Sequence, residues 1–186
     1  MLYLKDVELK LVCELMKNSR RSDRELGRVL GVSQPTVSRM VKKLEKEGVI
    51  KEYAMIPDFT KLGFQIMSID FAKLKKPISE ERLKETRKQV RQTLLKEPES
   101  AIVGMTGMGF NADRVIVAFH EDYSTYTEAL DKIKQHPLVE VEEIKSFLVD
   151  LNDRSQYLPL TLSNLADYIT YKKRQKSEGT RKDSDK

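Results

Sequence analysis

Residues 22–46 read SDRELGRVLGVSQPTVSRMVKKLEK. Ser22 followed three positions later by Glu25 is a capping box: the hydroxyl accepts from the amide three residues on, and the carboxylate reaches back to the serine's own amide. That start predicts a helix over Asp23–Leu30, and Gly31 stops it, because a left-handed backbone costs glycine little. Val32 follows as a buried turn residue. Ser33 caps the next helix, and Pro35 fits in its first turn, where the missing amide has no intrahelical acceptor in any case. Val37, Met40, Val41 and Leu44 recur at helical spacing and make its inner stripe. Two short helices joined by a glycine-centred turn, with the small Gly27 where they cross, predict a helix-turn-helix.

Ser33, Gln34, Thr36, Ser38 and Arg39 lie at the N-terminal end of the second of these helices, the part that enters the DNA major groove in such a motif. Arg39 matches the two acceptors of guanine and Gln34 the donor and acceptor of adenine, each bidentate pair being worth roughly 1–3 kcal/mol of base discrimination. Arg24, Lys42 and Lys43 are placed for phosphates, contacts that set register and affinity rather than sequence choice. The plainer alternative is a three-helix module whose polar face meets only water. Capping box, turn glycine, small crossing residue and groove-suited face occurring together favour the DNA reading.

Upstream, Leu9, Val12, Cys13 and Met16 fall at i, i+3, i+4 and i+7, one face of a helix over Val7–Met16 that Leu11 and Leu15 widen. Downstream, Gly48 closes the third helix, and Val49–Ile56 reads as a strand, a wing or a pairing edge for a second copy. Pro57–Leu62 reads as a hinge. Residues 1–62 are therefore expected to be a winged helix-turn-helix domain.

The chain has 186 residues, 39% hydrophobic and 34% charged, with a mean hydropathy of −0.52. That bounds it at one or two domains with a real but limited core. No apolar run approaches the roughly 18–20 residues of a membrane span, and the N-terminus is unlike a secretory signal, so no membrane partner and a cytoplasmic location are expected. One cysteine and two histidines exclude a disulfide scaffold and a zinc finger. Neither a metal nor a cofactor is expected. The net charge of +5 is unevenly spread: residues 1–62 hold 13 Lys+Arg against 9 Asp+Glu, residues 63–151 hold 13 against 15, and residues 172–186 hold 7 against 3. A polyanion is thereby directed to the head and the tail, although most charge runs only solvate a helix face.

The middle segment alternates. Phe64, Ile66, Ser68 and Asp70 interleave with Gln65, Met67, Ile69 and Phe71, so the strand Gly63–Leu74 has apolar residues on both faces. Ser79 caps a helix with Leu83, Val90 and Leu94 inward. Strands over Ala101–Thr106 and Arg114–His120, a helix over Tyr123–Gln135 and a strand over Val139–Leu151 complete the order βαββαβ, a ferredoxin-like arrangement over residues 63–151. The fold class is α+β. The sheet face without helices, rich in residues such as Met67 and Ile69, favours association with a second copy.

Together NSRRS at 18–22, ELGRVLGVSQPTVSRMVKKLEKEGVIKEY at 25–53, KLG at 61–63, TG at 106–107 and the βαββαβ segment resemble the Lrp/AsnC (feast/famine) family over nearly all of residues 1–151. The resemblance implies a regulator of transcription that binds double-stranded DNA, dimerises through the sheet domain, and associates further, up to octamers. It also implies sensing of an amino acid or other small molecule between dimers, by the turn after TG and by the last strand. This chain departs there: where the family has a tyrosine, aspartate, tyrosine run it reads GMGFNADR at 107–114, keeping Asp113, and Ser146 stands where a threonine is frequent. Gly107, Gly109, Phe110, Asn111 and Asp113 are the effector candidates; a glycine-rich hairpin that binds nothing is the alternative.

Two other function classes stay open at this point. One is an enzyme on the same architecture, resembling the siroheme decarboxylases, although the third helix keeps its groove-reading residues. His120 and His136 have no nucleophile at a recognisable spacing, and GMTGMG from Gly104 joins strand to strand, unlike a phosphate cradle. The other is a DNA-compacting architectural protein, which binds cooperatively with little sequence preference. Cys13 reads as a small apolar filler. Leu162, Leu165, Ala166 and Ile169 predict a short amphipathic helix within residues 152–186, followed after Tyr171 by a disordered basic tail.

Overall fold

Helices α1 (Asp6–Lys17), α2 (Asp23–Leu30) and α3 (Gln34–Lys46) form in the computed structural model where the apolar spacing places them. The structure describes residues 4–75, 88, 100–135, 140–153, 155 and 160–184. The expected helix after Ser79, with Leu83, Val90 and Leu94, lies outside these residues, as does His136. The chain divides into two compact units, one made of Met1–Ile56 with Tyr157–Lys186, the other of Pro57–Gln156.

In the first unit Leu11, Leu26, Val37 and Leu44 are fully buried, with Leu4, Leu15, Leu30, Met40 and Val41 packed around them. Leu11, which only widened the expected stripe of α1, is its deepest residue. The reason is that α1 is covered on two sides: Leu11 faces α2 and α3, while Cys13, also buried, lies beside the C-terminal helix α5 (Ser163–Ser184). Ala166 of α5 is fully buried, and the α1–α5 contact carries ion pairs from Lys17 to Asp167, 2.6 Å, and from Lys173 to Asp6.

Three expectations change here. Residues 152–186 do not stand apart, since the chain from Tyr157 belongs to the first unit. The tail expected to be disordered continues α5 to Ser184. Lys, Arg, Gln and Glu are good helix formers, and extending a helix already anchored by packing avoids the cost of nucleation. Thirdly, Val49–Ile56 is not a strand: Val49 and Ile50 donate to the Leu44 carbonyl and close α3, and residues 51–58 have no regular structure. A strand needs a neighbouring ladder, and none of the described segments offers one.

The second unit begins at Pro57, earlier than the expected 63, because the expected hinge is ordered. Asp58 caps a 3-10 turn, Phe59–Leu62, and the Phe59 ring stacks on Phe119 at 3.9 Å between centroids. Four strands follow: β1 (Ile66–Leu74), β2 (Ala101–Gly109), β3 (Ala112–His120) and β4 (Val141–Asp150), with α4 (Tyr123–Lys134) between the last two. The order is β2-β3-β1-β4 and every pairing is antiparallel, the ferredoxin-like order. Asp122 and Thr125 form a reciprocal capping box at the start of α4.

Along β1, Ser68, Asp70, Ala72 and Leu74 are buried while Met67, Ile69 and Phe71 stand half-buried on the opposite face. The pairing register puts Val115, Val117, Phe147 and Val149 on that same open face. The turn expected to span Gly107–Asp113 is much shorter. Gly109 pairs with Ala112, and only Phe110 and Asn111 make the turn, both left-handed with φ of 53° and 57°. That is the twist-matched two-residue hairpin, and asparagine tolerates its backbone.

Candidate nucleic-acid interface

Helix α2 crosses α3 at Gly27. A methyl group there would sit 2.7 Å from the backbone carbonyl oxygen of Val32 and close to the amide of Gln34. Only glycine lets the chain turn this tightly, and Gly31 at φ 70° ends α2 in the left-handed conformation that sends the backbone into α3. At the other end of α2 the capping box is formed, with the Ser22 amide donating to Glu25 Oε2 at 2.8 Å and the Glu25 amide to Ser22 Oγ at 3.3 Å.

On α3 the inner stripe of Val37 and Leu44 is buried, so the helix faces outward with Gln34, Arg39, Lys42 and Lys43; Ser33 and Arg24 are exposed as well. Thr36 and Ser38 are half-buried. Ser33 occupies the cap position, but its hydroxyl lies 2.8 Å from Thr36 Oγ1 and makes no side-chain bond to the helix amides. Arg39 Nε donates to the Pro35 carbonyl at 3.4 Å, which lays the guanidinium along the first turn of the helix. Lys42 is engaged by no acid among the described residues.

Lys43 differs from its neighbour. Its ammonium lies 2.7 Å from Glu8 Oε1, and Glu8 is a buried residue of α1 whose other oxygen accepts the Lys5 amide at 2.9 Å. The bond from Lys43, and then that from Lys5, hold the Glu8 carboxyl below its ordinary range. Lys43 is thereby a strut between α1 and α3. The sequence reading missed this role; Glu8, a carboxylate one turn before Leu11 and one turn after Leu4, was the available signal. Past α3, the Tyr53 hydroxyl donates to Glu45 Oε1 at 3.0 Å, and burial together with that carboxylate pushes it up to about 12.

The five effector candidates sit together at one end of the β2–β3 hairpin. Gly107 and Gly109 are in β2, Phe110 and Asn111 make the turn, and Asp113 follows Ala112 at the start of β3. Phe110 is largely exposed, with its ring 5.0 Å from that of Phe71. The Asp113 carboxylate already accepts the Leu74 amide at 3.3 Å and meets Arg114 Nη1 at 3.2 Å. It closes the corner of the sheet. Among the described residues no cluster of three or more His, Cys, Asp or Glu is placed to hold a metal ion, and no helix is long and apolar enough to cross a membrane.

Residues 4–51 match the winged helix-turn-helix DNA-binding family. Over 143 residues the chain is 32% identical to the HTH-type transcriptional regulator Ptr1 of Methanocaldococcus jannaschii, covering 77% of this chain and 89% of Ptr1. It is 42% identical over 72 residues to the HTH-type transcriptional regulator LrpC of Bacillus subtilis, a stretch covering 39% of this chain and half, 50%, of that relative's length. The solved structure of LrpC superposes with a TM-score of 0.64 at 25% identity, covering 84% of this chain and 100% of LrpC. The fold is shared too by a transcriptional regulator of Neisseria meningitidis, NMB0573, solved in complex with L-Met: TM-score 0.67, 20% identity, 87% of this chain and 96% of that one.

Proposed function

The chain belongs to the Lrp/AsnC family, and from that premise we propose that it is a sequence-specific regulator of transcription that reads double-stranded DNA with the N-terminal half of α3. The observation that carries the reading is the outward face of α3: Gln34 and Arg39 exposed in the first turns and Lys42 with no acid on it, on a helix held at a fixed crossing by Gly27. Gln34 and Arg39, assisted by Ser33, Thr36 and Ser38, meet base edges, and Arg24 and Lys42 meet phosphates.

The active form is a homodimer. Met105 and Phe147, 62% and 64% exposed, belong to the open face of the sheet, an apolar face suited to burial against a second copy. A two-fold dimer presents two copies of α3 to half-sites roughly 10 bp apart or a multiple of that. Higher assemblies, up to the octamer, use further surfaces. A small-molecule effector, an amino acid such as the L-Met held by the Neisseria regulator, binds at the Gly107–Asp113 hairpin. The protein acts on DNA in the soluble interior of the cell and not as an enzyme, in keeping with relatives named as transcriptional regulators.

Selection of bound fragments from random or genomic DNA, followed by footprinting, tests the reading. The expected result is a two-fold repeated motif protected on one face of the duplex. Uniform, cooperative coverage of every sequence would replace it with the compacting role.

A further inference from the structure

Within the first unit, helix α1 has two faces in use. Leu11 packs into the core with Leu26, Val37 and Leu44, and Glu8, one turn earlier on the same face, pairs with Lys43 of α3. The other face meets α5: Asp6 and Lys17 pair with Lys173 and Asp167, and Cys13 lines a recess with Thr170 and Tyr171. Successive residues of a helix are about 100° apart, so Leu11 and Cys13, two positions apart, look in nearly opposite directions. Seen from α3, α5 therefore lies behind α1. Packed helices sit about 8–10 Å apart, which puts α5 roughly 16–20 Å to the rear of α3. The face of α3 with Gln34, Arg39 and Lys42 looks the other way.

The rear helix also carries a basic end. It runs antiparallel to α1, since Asp167 meets Lys17 in the last turn of α1 and Lys173 meets Asp6 in the first. Lys173 thus marks where α1 stops covering α5, and α5 continues to Ser184, about 16 Å further at 1.5 Å per residue. Residues 172–186 hold 7 Lys+Arg against 3 Asp+Glu; Lys173 is tied to Asp6, while Lys172 is exposed with its ammonium 5.7 Å from the centre of the Tyr168 ring. The unit as a whole, 1–56 with 157–186, holds 19 Lys+Arg against 12 Asp+Glu, whereas 57–156 hold 15 against 17. The first unit is therefore positive in front, on α3, and again at the rear. A duplex seated on Gln34 and Arg39 lies a helix layer or more beyond the span of a lysine or arginine side chain on α5, so the rear charge is placed for a different stretch of polyanion.

We propose that the basic C-terminal half of α5 holds the phosphates of a second double-stranded DNA segment while α3 reads the first, so that one head bridges two stretches of duplex. Contact at the rear is to phosphates alone, which makes it indifferent to sequence and steeply dependent on salt. The bridging rests on the reading of DNA by α3 for its first duplex; binding at the rear stands without it.

The test loads full-length protein onto a bead-bound duplex that carries its selected motif and measures capture of a labelled duplex of unrelated sequence. Affinity for the second duplex is expected to fall roughly a hundredfold between about 50 and 200 mM salt, as about four phosphate contacts imply. The variant with Arg174→Gln, Lys176→Gln, Arg181→Gln and Lys182→Gln keeps good helix formers throughout. It is expected to capture at least about tenfold less while holding the bead-bound duplex and melting as the parent does. Exchanging lysine and arginine at the same four positions keeps the charge and should keep the capture. Arg181→Gln with Lys182→Gln alone, at the far end, should lose at least about threefold and decides the matter should the fourfold variant unfold. Capture by the glutamine variants equal to the parent's, because other heads of an assembly do the bridging, overturns the proposal, as does a parent that captures nothing at the lower salt. A head that reads no motif fails differently: the parent then holds motif and unrelated duplex alike, and the loss on neutralising α5 is still measured.

Discussion

Lys42 and Lys43 are adjacent and carry the same charge, yet their surroundings give them different jobs. Lys42 has only solvent among the described residues, whereas Lys43 is held by the buried Glu8. Arg39→Ala is expected to flatten preference at one base position by roughly 1–3 kcal/mol, and Lys42→Ala to weaken all sequences alike and cut the salt slope by about one. Lys43→Ala is expected to lower the thermal midpoint well beyond Lys42→Ala, because it leaves a buried carboxylate without its partner. Quantitative band shifts across a salt series, with melting curves on the same three variants, separate these outcomes; equal midpoints for the two lysine variants would refute the strut. His120 sets a second expectation. Its pKa is lowered in the folded protein, so the unfolded chain binds more protons as pH falls below about 6.5. Its contribution to stability is complete above that pH and is lost as pH falls through the folded value. Denaturant titrations at stepped pH should show this loss in the parent and a flatter profile in His120→Asn.

At the level of elements, what the sequence made legible depended on whether the deciding contact was local. The α2–α3 pair was readable because capping box, glycine stop and crossing glycine all act within 25 residues, and each leaves a residue-type signature. Gly27→Ala is the corresponding prediction: with a backbone oxygen 2.7 Å from the added carbon, the crossing must open. Overpacking of this kind costs about 1–3 kcal/mol, and DNA affinity should fall further than stability as α3 tilts. Gly31→Ala, strained at φ 70° but with open space around it, should cost about 1–2 kcal/mol and leave DNA affinity of the folded fraction intact. Melting curves and band shifts on both variants check the contrast. Val49–Ile56 was misread because its alternation, with Tyr53 and Ile56 apolar, states only that a strand is possible; the partner that makes one is absent from these segments. The hairpin at Phe110–Asn111 is shorter than the expected Gly107–Asp113 for the opposite reason, since Gly107 and Gly109 suit a turn while β-pairing extends to Gly109. At the candidate DNA site the outward residues followed from periodicity, but the Glu8–Lys43 pair spans 35 positions and could not. Ser68 and Asp70 stand at buried positions of β1, where alternation alone would place apolar residues.

Over the whole molecule, the least legible feature was the return of the C-terminal segment to the N-terminal unit. Composition suggested a solvated tail, whereas Ala166 is buried and Asp167 and Lys173 pair with Lys17 and Asp6 on α1. Removing residues 163–186 is expected to lower the melting temperature of the first unit and to expose Cys13, which lies beside Thr170 and Tyr171. Faster reaction of the truncated protein with a thiol reagent, under conditions where it stays folded, measures this; an unchanged rate would place the cover elsewhere. The excess charge of +5 also takes on a structure at this scale, because the basic head and the basic tail are parts of one unit. In chain terms the sheet unit is then an insertion of 100 residues, Pro57–Gln156, into a body whose two halves are separated in sequence. A ribosome delivers α1, α2 and α3 before the sheet unit and α5 after it, and domains generally fold as they emerge. The unit that holds α3 is therefore interrupted in the chain by the sheet unit, so a nascent regulator completes its reading head only after the sheet has been made.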